Sequence, residues 1–144
     1  MPEVSDSIMI GKPTAEVFAA IENPEVQITY DGEMFKGVEK LTDGPIGKGT
    51  RFRGTFKGMG KVEYSYDEFE PNHLIQHAVK MPFGPFRHRF EITAEGDSSR
   101  LTQSISVEPN ILGRIMWPLI MRRMMRSRVS TLNGLVKSYV ERRA

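Results

Sequence analysis

Residues 86–107 read FRHRFEITAEGDSSRLTQSISV and residues 119–142 read LIMRRMMRSRVSTLNGLVKSYVER. The change of period between these two stretches decides the fold. In the first, Phe86, His88, Phe90 and Ile92 alternate with Arg87, Arg89, Glu91 and Thr93. After the turn Gly96-Asp97-Ser98-Ser99, Leu101, Gln103, Ile105 and Val107 alternate with Thr102, Ser104 and Ser106. A period of two puts one set on each face of a sheet, the apolar set inward. In the second stretch Met121, Met125, Val129, Leu132, Val136, Tyr139 and Val140 fall within an arc of roughly 100° at helical spacing, the width of a buried stripe on a surface helix. Pro109-Asn110 separates the two patterns. Pro118 should break or kink any helix that begins near Ile111, which places the continuous helix at Leu119 to Arg142.

The alternation extends upstream. Phe52/Gly54/Phe56, Val62/Tyr64/Tyr66 and Ile75/His77/Val79 form the inward sets of earlier strands, separated by Asp43-Gly44-Pro45, Lys57-Gly58-Met59-Gly60, Glu70-Pro71-Asn72 and Pro82-Phe83-Gly84-Pro85. These clusters supply the backbone conformations that turns require. Val4 to Ile10 also alternates and reads as an opening strand. Pro13 fits a helix start, Val17, Phe18 and Ile21 follow at helical spacing, and Asn23-Pro24 ends that helix, leaving a second short helix from Pro24 to about Tyr30. The order is one strand, two short helices, six strands and a long helix. A sheet with one apolar face needs a cover, and the last helix is the only large one. The fold class is α+β: a curved antiparallel sheet of about seven strands wrapped around the C-terminal helix, as one domain over residues 1–144.

The bulk composition narrows the function. The 144 residues contain no Cys, which excludes disulfides, thiolate metal sites and thiol nucleophiles. The longest apolar run, Ile115 to Met121, holds Pro118 and is far shorter than the ~20 residues of a membrane helix. The opening MPEVSDSIMI lacks the basic and apolar regions of a secretory signal, so the expected location is the cytoplasm. Gly47-Lys48-Gly49 and Gly58-Met59-Gly60 precede strands and read as turns, not phosphate loops. His73, His77 and His88 lack metal-ligand spacing, and no cofactor or metal is expected.

Several segments carry a family resemblance: SIMIGKPTAEVFAAIENP (Ser7 to Pro24), GVEKL (Gly37 to Leu41), GKGTRF (Gly47 to Phe52), FEPNHLI (Phe69 to Ile75), SRLT (Ser99 to Thr102) and the closing basic helix. Together they resemble the START-like, helix-grip superfamily, often called SRPBCC, and within it the polyketide cyclase/dehydrase-like proteins. The resemblance implies a cavity between sheet and helix that holds lipids, polyketides or other apolar molecules. A minority of members act on such ligands as cyclases or dehydratases. No universal catalytic motif accompanies the family. QITYDGEMF (Gln27 to Phe35) lacks the Trp that many bacterial members carry there.

An apolar cavity with a few convergent polar atoms is what a small-molecule site requires. By parity the inward polar groups are Tyr64, Tyr66, His77, His88 and Gln103. With Phe90 from the sheet and Met121, Met125 and Val129 from the helix stripe, they form the expected ligand-contact set. If residues 74–79 and 86–92 form a hairpin with 80–85 as its loop, Val79 faces Phe86 and His77 faces His88. Facing imidazoles disfavour double protonation, so one stays neutral and available as a base. Three readings follow. The first is binding of a small hydrophobic or amphipathic ligand; the second is a cyclase or dehydratase using His77 or His88 as base. The third is a regulatory or interaction protein that works through its basic helix.

That helix is unusual in charge. Residues 111–144 carry a net +7 and residues 1–110 a net −5, within a total of +2. Arg123, Arg126 and Lys137 cluster away from the apolar stripe. Aromatic interleaving suited to base stacking is missing, which argues against nucleic acid. Ile115, Met116, Trp117, Leu119 and Ile120 beside the arginines instead fit a transient contact with anionic membrane. Met116, Met121, Met124 and Met125 fit an adaptable cavity wall. Oligomeric state is not legible in the sequence.

Overall fold

The structure, a computed structural model, describes residues 2–143; Met1 and Ala144 of the expected domain lie outside the described residues. Strand β1 (Glu3–Ile10) is followed by helices α1 (Thr14–Ile21) and α2 (Pro24–Tyr30). Six strands come next: β2 (Phe35–Lys40), β3 (Arg51–Phe56), β4 (Gly60–Glu70), β5 (Leu74–Met81), β6 (Gly84–Glu95) and β7 (Ser98–Val107). Helix α3 (Ile111–Met116), a π-helical turn (Trp117–Met121) and helix α4 (Arg122–Arg142) complete the chain. The curved antiparallel sheet closed by the C-terminal helix, read from the periodicities, is the architecture observed.

The seven strands form one antiparallel sheet in the order β1-β7-β6-β5-β4-β3-β2. β1 and β2 are its two edges, so α1 and α2 carry the chain from one edge to the other across the open side of the curve. Asn23 caps α2 by accepting a hydrogen bond from the Glu25 backbone N–H at 3.0 Å, and Pro24 occupies its first turn. The concave face closes on α4 through Val129, Leu132, Val136 and Val140, all buried. On the convex face Arg87 pairs with Asp67, and Arg89 with Glu68 and Glu91, so that surface is a ladder of ion pairs.

Two details differ from expectation. The β5–β6 hairpin is tight: pairing runs to Met81↔Gly84, leaving Pro82-Phe83 as the turn where a six-residue loop was expected. Gly84 makes this turn feasible, with φ of +123° and an added Cβ only 2.3 Å from the Glu108 carbonyl oxygen. Pro118 interrupts the α-helical path as expected, but the regular helix resumes at Arg122 rather than Leu119. It lacks the N–H for a regular α turn, and the chain passes it in a π turn closed by the Arg122 N–H on the Trp117 carbonyl. The helical path therefore runs from Ile111 to Arg142. Asn110 pins its start, accepting from the Gly113 N–H at 2.9 Å while donating to the Pro82 carbonyl at 2.8 Å.

Candidate functional site

Between the sheet and α4 lies a cavity of about 240 Å³. One water needs only ~10–15 Å³ on such a measure, so this is space for a molecule. Fourteen of its twenty lining residues are apolar, and six of those are methionines: Met34, Met59, Met81, Met121, Met124 and Met125. Unbranched, polarizable side chains let such a wall repack around different shapes. The polar exceptions are Gln27, Lys57, Tyr64, His77, His88 and Arg128. The opening has a structural cause. β4 pairs with β5 only from Tyr64↔Val79 onward, so the first residues of β4 diverge from the end of β5 and leave a gap in the wall. Met59, Val62, Met81, Phe83, Met121 and Met124 line both the cavity and an outer groove at this gap.

His77 and His88 are direct register partners, with ring centroids 5.8 Å apart. His77 is stacked on Tyr64 at 5.0 Å and on Tyr66 at 4.9 Å, and its Nε2 is buried without a hydrogen-bond partner. Burial, with His88 adding to it, holds the imidazole neutral, its pKa pushed well below the usual range. Burial also lowers His88, to about 4, although the hydrogen bond to Gln103 works the other way.

His88 heads a polar relay through the core. Its Nε2 lies 2.7 Å from Gln103 Oε1, Gln103 Nε2 donates to Asn133 Oδ1 at 2.8 Å, and Asn133 Nδ2 donates to the Asp6 carbonyl and carboxylate at 3.1 Å. The direction of the relay follows from its end. Asp6 offers only acceptors, so Asn133 must turn its NH2 toward Asp6, Gln103 must turn its NH2 toward Asn133, and Gln103 Oε1 is left to accept from His88. The neutral imidazole is thereby fixed with its proton on Nε2 and a lone pair on Nδ1.

A second polar group enters from α4. Arg128 makes a bidentate ion pair with Asp31, at 2.8 and 2.6 Å, and Gln27 donates to the same carboxylate at 3.0 Å. Asp31 is only 2% exposed, and three charge-assisted contacts offset its burial. Since Arg128 and Gln27 also line the cavity, this cluster gives the largely apolar chamber a charged corner, apart from the Tyr64, His77 and His88 rings on the sheet.

The model of the family described as "Polyketide cyclase / dehydrase and lipid transport" matches residues 1–141. The chain belongs to this family. No curated protein matches the sequence. Among solved structures, Ara h 8.0201 superposes with a TM-score of 0.78 at 14% identity, covering 99% of each chain. A protein from Thermus thermophilus does so with a TM-score of 0.74 at 21% identity, covering 96% of this chain and 97% of its own. Norcoclaurine synthase from Thalictrum flavum, in truncated form, gives 0.72 at 14% identity, covering 99% and 95%. At these identities the similarity is one of fold. No helix among the described residues is long and apolar enough to cross a membrane.

Within this polyketide cyclase/dehydrase-like chain the expected contact residues divide. Tyr64, His77, His88, Phe90, Met121 and Met125 line the cavity. Tyr66, Gln103 and Val129 lie behind the wall. The Tyr66 hydroxyl donates to the Glu22 carbonyl at 2.9 Å, Gln103 belongs to the relay, and Val129 is fully buried in a second core cluster with Val4 and Val107. All three have inward parity, but inward on a curved sheet means core at its tightly gripped end and cavity only where the wall splays. Arg128, Asp31 and Asn133 were not among the expected residues. Asn133 carried a signal, since it lies at i+4 from Val129 and i−3 from Val136, a polar residue within the buried stripe. Arg128 sits at i+7 from Met121 and i+3 from Met125, on the edge of the same stripe. Asp31 follows α2 in no periodic pattern.

Proposed function

We propose that the protein binds a small amphipathic molecule in this cavity, its apolar body against the methionine and phenylalanine walls and an oxygenated end toward Arg128, His88 and Tyr64. One observation carries the reading: about 240 Å³ of largely apolar space is lined by a few polar residues. The Tyr64 phenol is pushed upward by burial and stays protonated, so it is available as a donor. Arg128 holds Asp31 and retains further N–H groups. Native mass spectrometry of the purified protein, followed by denaturing extraction, tests this directly. A bound apolar or amphipathic passenger is expected, and Met125→Trp, which fills the chamber, should lower its occupancy. An empty wild-type protein that also fails to enhance the fluorescence of apolar probe dyes would refute the reading.

A general-base reaction of the cyclase or dehydratase kind has one observation in its favour, the unprotonated Nδ1 of His88 on a cavity wall. Its basicity argues the other way. A base works best with a pKa near the working pH, and His88 sits at about 4. The discriminating assay is proton exchange at the carbon between the carbonyls of a 1,3-diketone in D2O. Ligand binding alone predicts no acceleration. Acceleration lost in His88→Gln, with binding of the diketone retained, would establish the enzyme.

A further inference from the structure

Around the cavity mouth the surface is apolar and cationic at once. Among the described residues eight large hydrophobic side chains are exposed. Six of these fall between Ile111 and Met124, and a seventh, Met59, faces them across the outer groove. Ile111 is 79% exposed and Leu119 71%. Exposed Arg114, Arg122, Arg123 and Arg126 are interleaved with them, and none of the four forms an ion pair with a described residue. No Asp or Glu occurs between Glu108 and Glu141. Lys61 and Lys80 stand on the opposite rim of the groove.

We propose that α3, the π turn and the first turn of α4 dock the protein onto a bilayer containing anionic phospholipid, with the cavity mouth against the membrane. The occupant follows from the combination of groups. Water does not suit the apolar side chains, and a second copy of the chain would bring four arginines from each partner together, while the groove's carboxylate, Glu63, is already paired with Arg51 at 2.9 Å. An anionic bilayer supplies both an apolar interior and negative charge, which is what an interfacial helix with Leu, Ile and Arg on its outer faces takes. The charge distribution orients the encounter, since the net −5 of residues 1–110 is repelled by the surface that attracts the +7 segment. Continuity of the patch with the groove and cavity gives the arrangement a use, because an apolar molecule could pass between bilayer and cavity without crossing water. Docking goes beyond the ligand-binding reading and does not depend on it.

The test is co-sedimentation of the full chain with large vesicles of phosphatidylcholine, with and without phosphatidylglycerol, at low and physiological ionic strength. Binding to the anionic vesicles, weakening with salt, is expected. Each arginine near such a surface is worth roughly a 5-fold change in partition, so Arg122→Ala/Arg123→Ala should lower it by about 25-fold. Leu119→Asp should weaken it as well. Arg100→Ala, on β7 far from the mouth, should leave it unchanged. Thermal melts check that the exposed-site variants fold, and passenger occupancy of the same samples by native mass spectrometry scores the ligand-binding reading separately. Failure to bind, equal binding to both vesicle types or an equal loss in Arg100→Ala would overturn the proposal. So would a dimer in sedimentation analysis that Leu119→Asp dissociates, which would assign the patch to a second copy.

Discussion

Acidification should unfold this protein earlier than its surface ion pairs would, because two imidazoles are buried neutral. Unfolded histidine takes up its proton near pH ~6.5, whereas folded His88 does so only at about 4. As pH falls through that window the unfolded chain binds the proton and the folded chain does not. Stability is therefore greatest above about pH 6.5, declines below it, and levels off for this group near 4. The separation corresponds to about 3 kcal/mol from His88, a large part of the ~5–15 kcal/mol that holds a domain folded. His77, lowered in the same direction by burial and by His88, adds to the loss. In mid-window one proton of difference gives a slope of about 1.4 kcal/mol per pH unit. Urea unfolding at closely spaced pH values measures it. His88→Gln keeps a donor for Gln103 Oε1 and carries no titratable proton, so it should be less stable at neutral pH yet show a slope shallower by about that amount near pH ~5. An unchanged slope would falsify the assignment of a buried, neutral His88.

Other substitutions probe the polar groups and the mouth. Arg128→Met leaves the Asp31 carboxylate buried without its cation, and urea unfolding should show a loss of about 3–5 kcal/mol, part of it recovered in the double variant with Asp31→Asn. Gln103→Leu strands the His88 N–H and Asn133 Oδ1, at about 1–3 kcal/mol for each buried orphan. In a double-mutant cycle with Asn133→Leu the losses should sum to less than the two singles, whereas strict additivity would mean that the relay does not act as a unit. Gly113→Ala places a Cβ 2.3 Å from the Phe83 carbonyl oxygen, so α3 must shift away from the β5–β6 turn. Faster hydrogen exchange over residues 82–84 and 111–116, with a lowered Tm, is expected.

The chain belongs to the polyketide cyclase/dehydrase and lipid transport family over residues 1–141, and its fold encloses a largely apolar cavity rich in methionine. Two features stand out around the cavity: the corner where Arg128 and Gln27 hold Asp31, and the basic, apolar rim at the mouth. In the proposed readings, the corner receives the oxygenated end of the ligand and the rim meets the bilayer.

Periodicity by itself settled the sheet, the order of elements and the face each strand presents. Alternation is a local property, so parity turned His77 and His88 inward, whereas their direct opposition depended on where the hairpin turned and is fixed by the β5–β6 register. The seven-residue stripe from Met121 to Val140 likewise specified the covering helix. Tertiary structure alone decided where core ends and cavity begins. That boundary depends on where β4 parts from β5, and nothing in the alternation of Val62, Tyr64 and Tyr66 marks the Tyr64↔Val79 position as the last pair. It also decided the partners of polar groups. Arg128 meets Asp31 across 97 residues of sequence, and Asn133 of α4 bridges the side chains of Gln103 and Asp6, a register pair of β7 and β1, because burial forces each polar atom to find whichever partner the packing brings within reach.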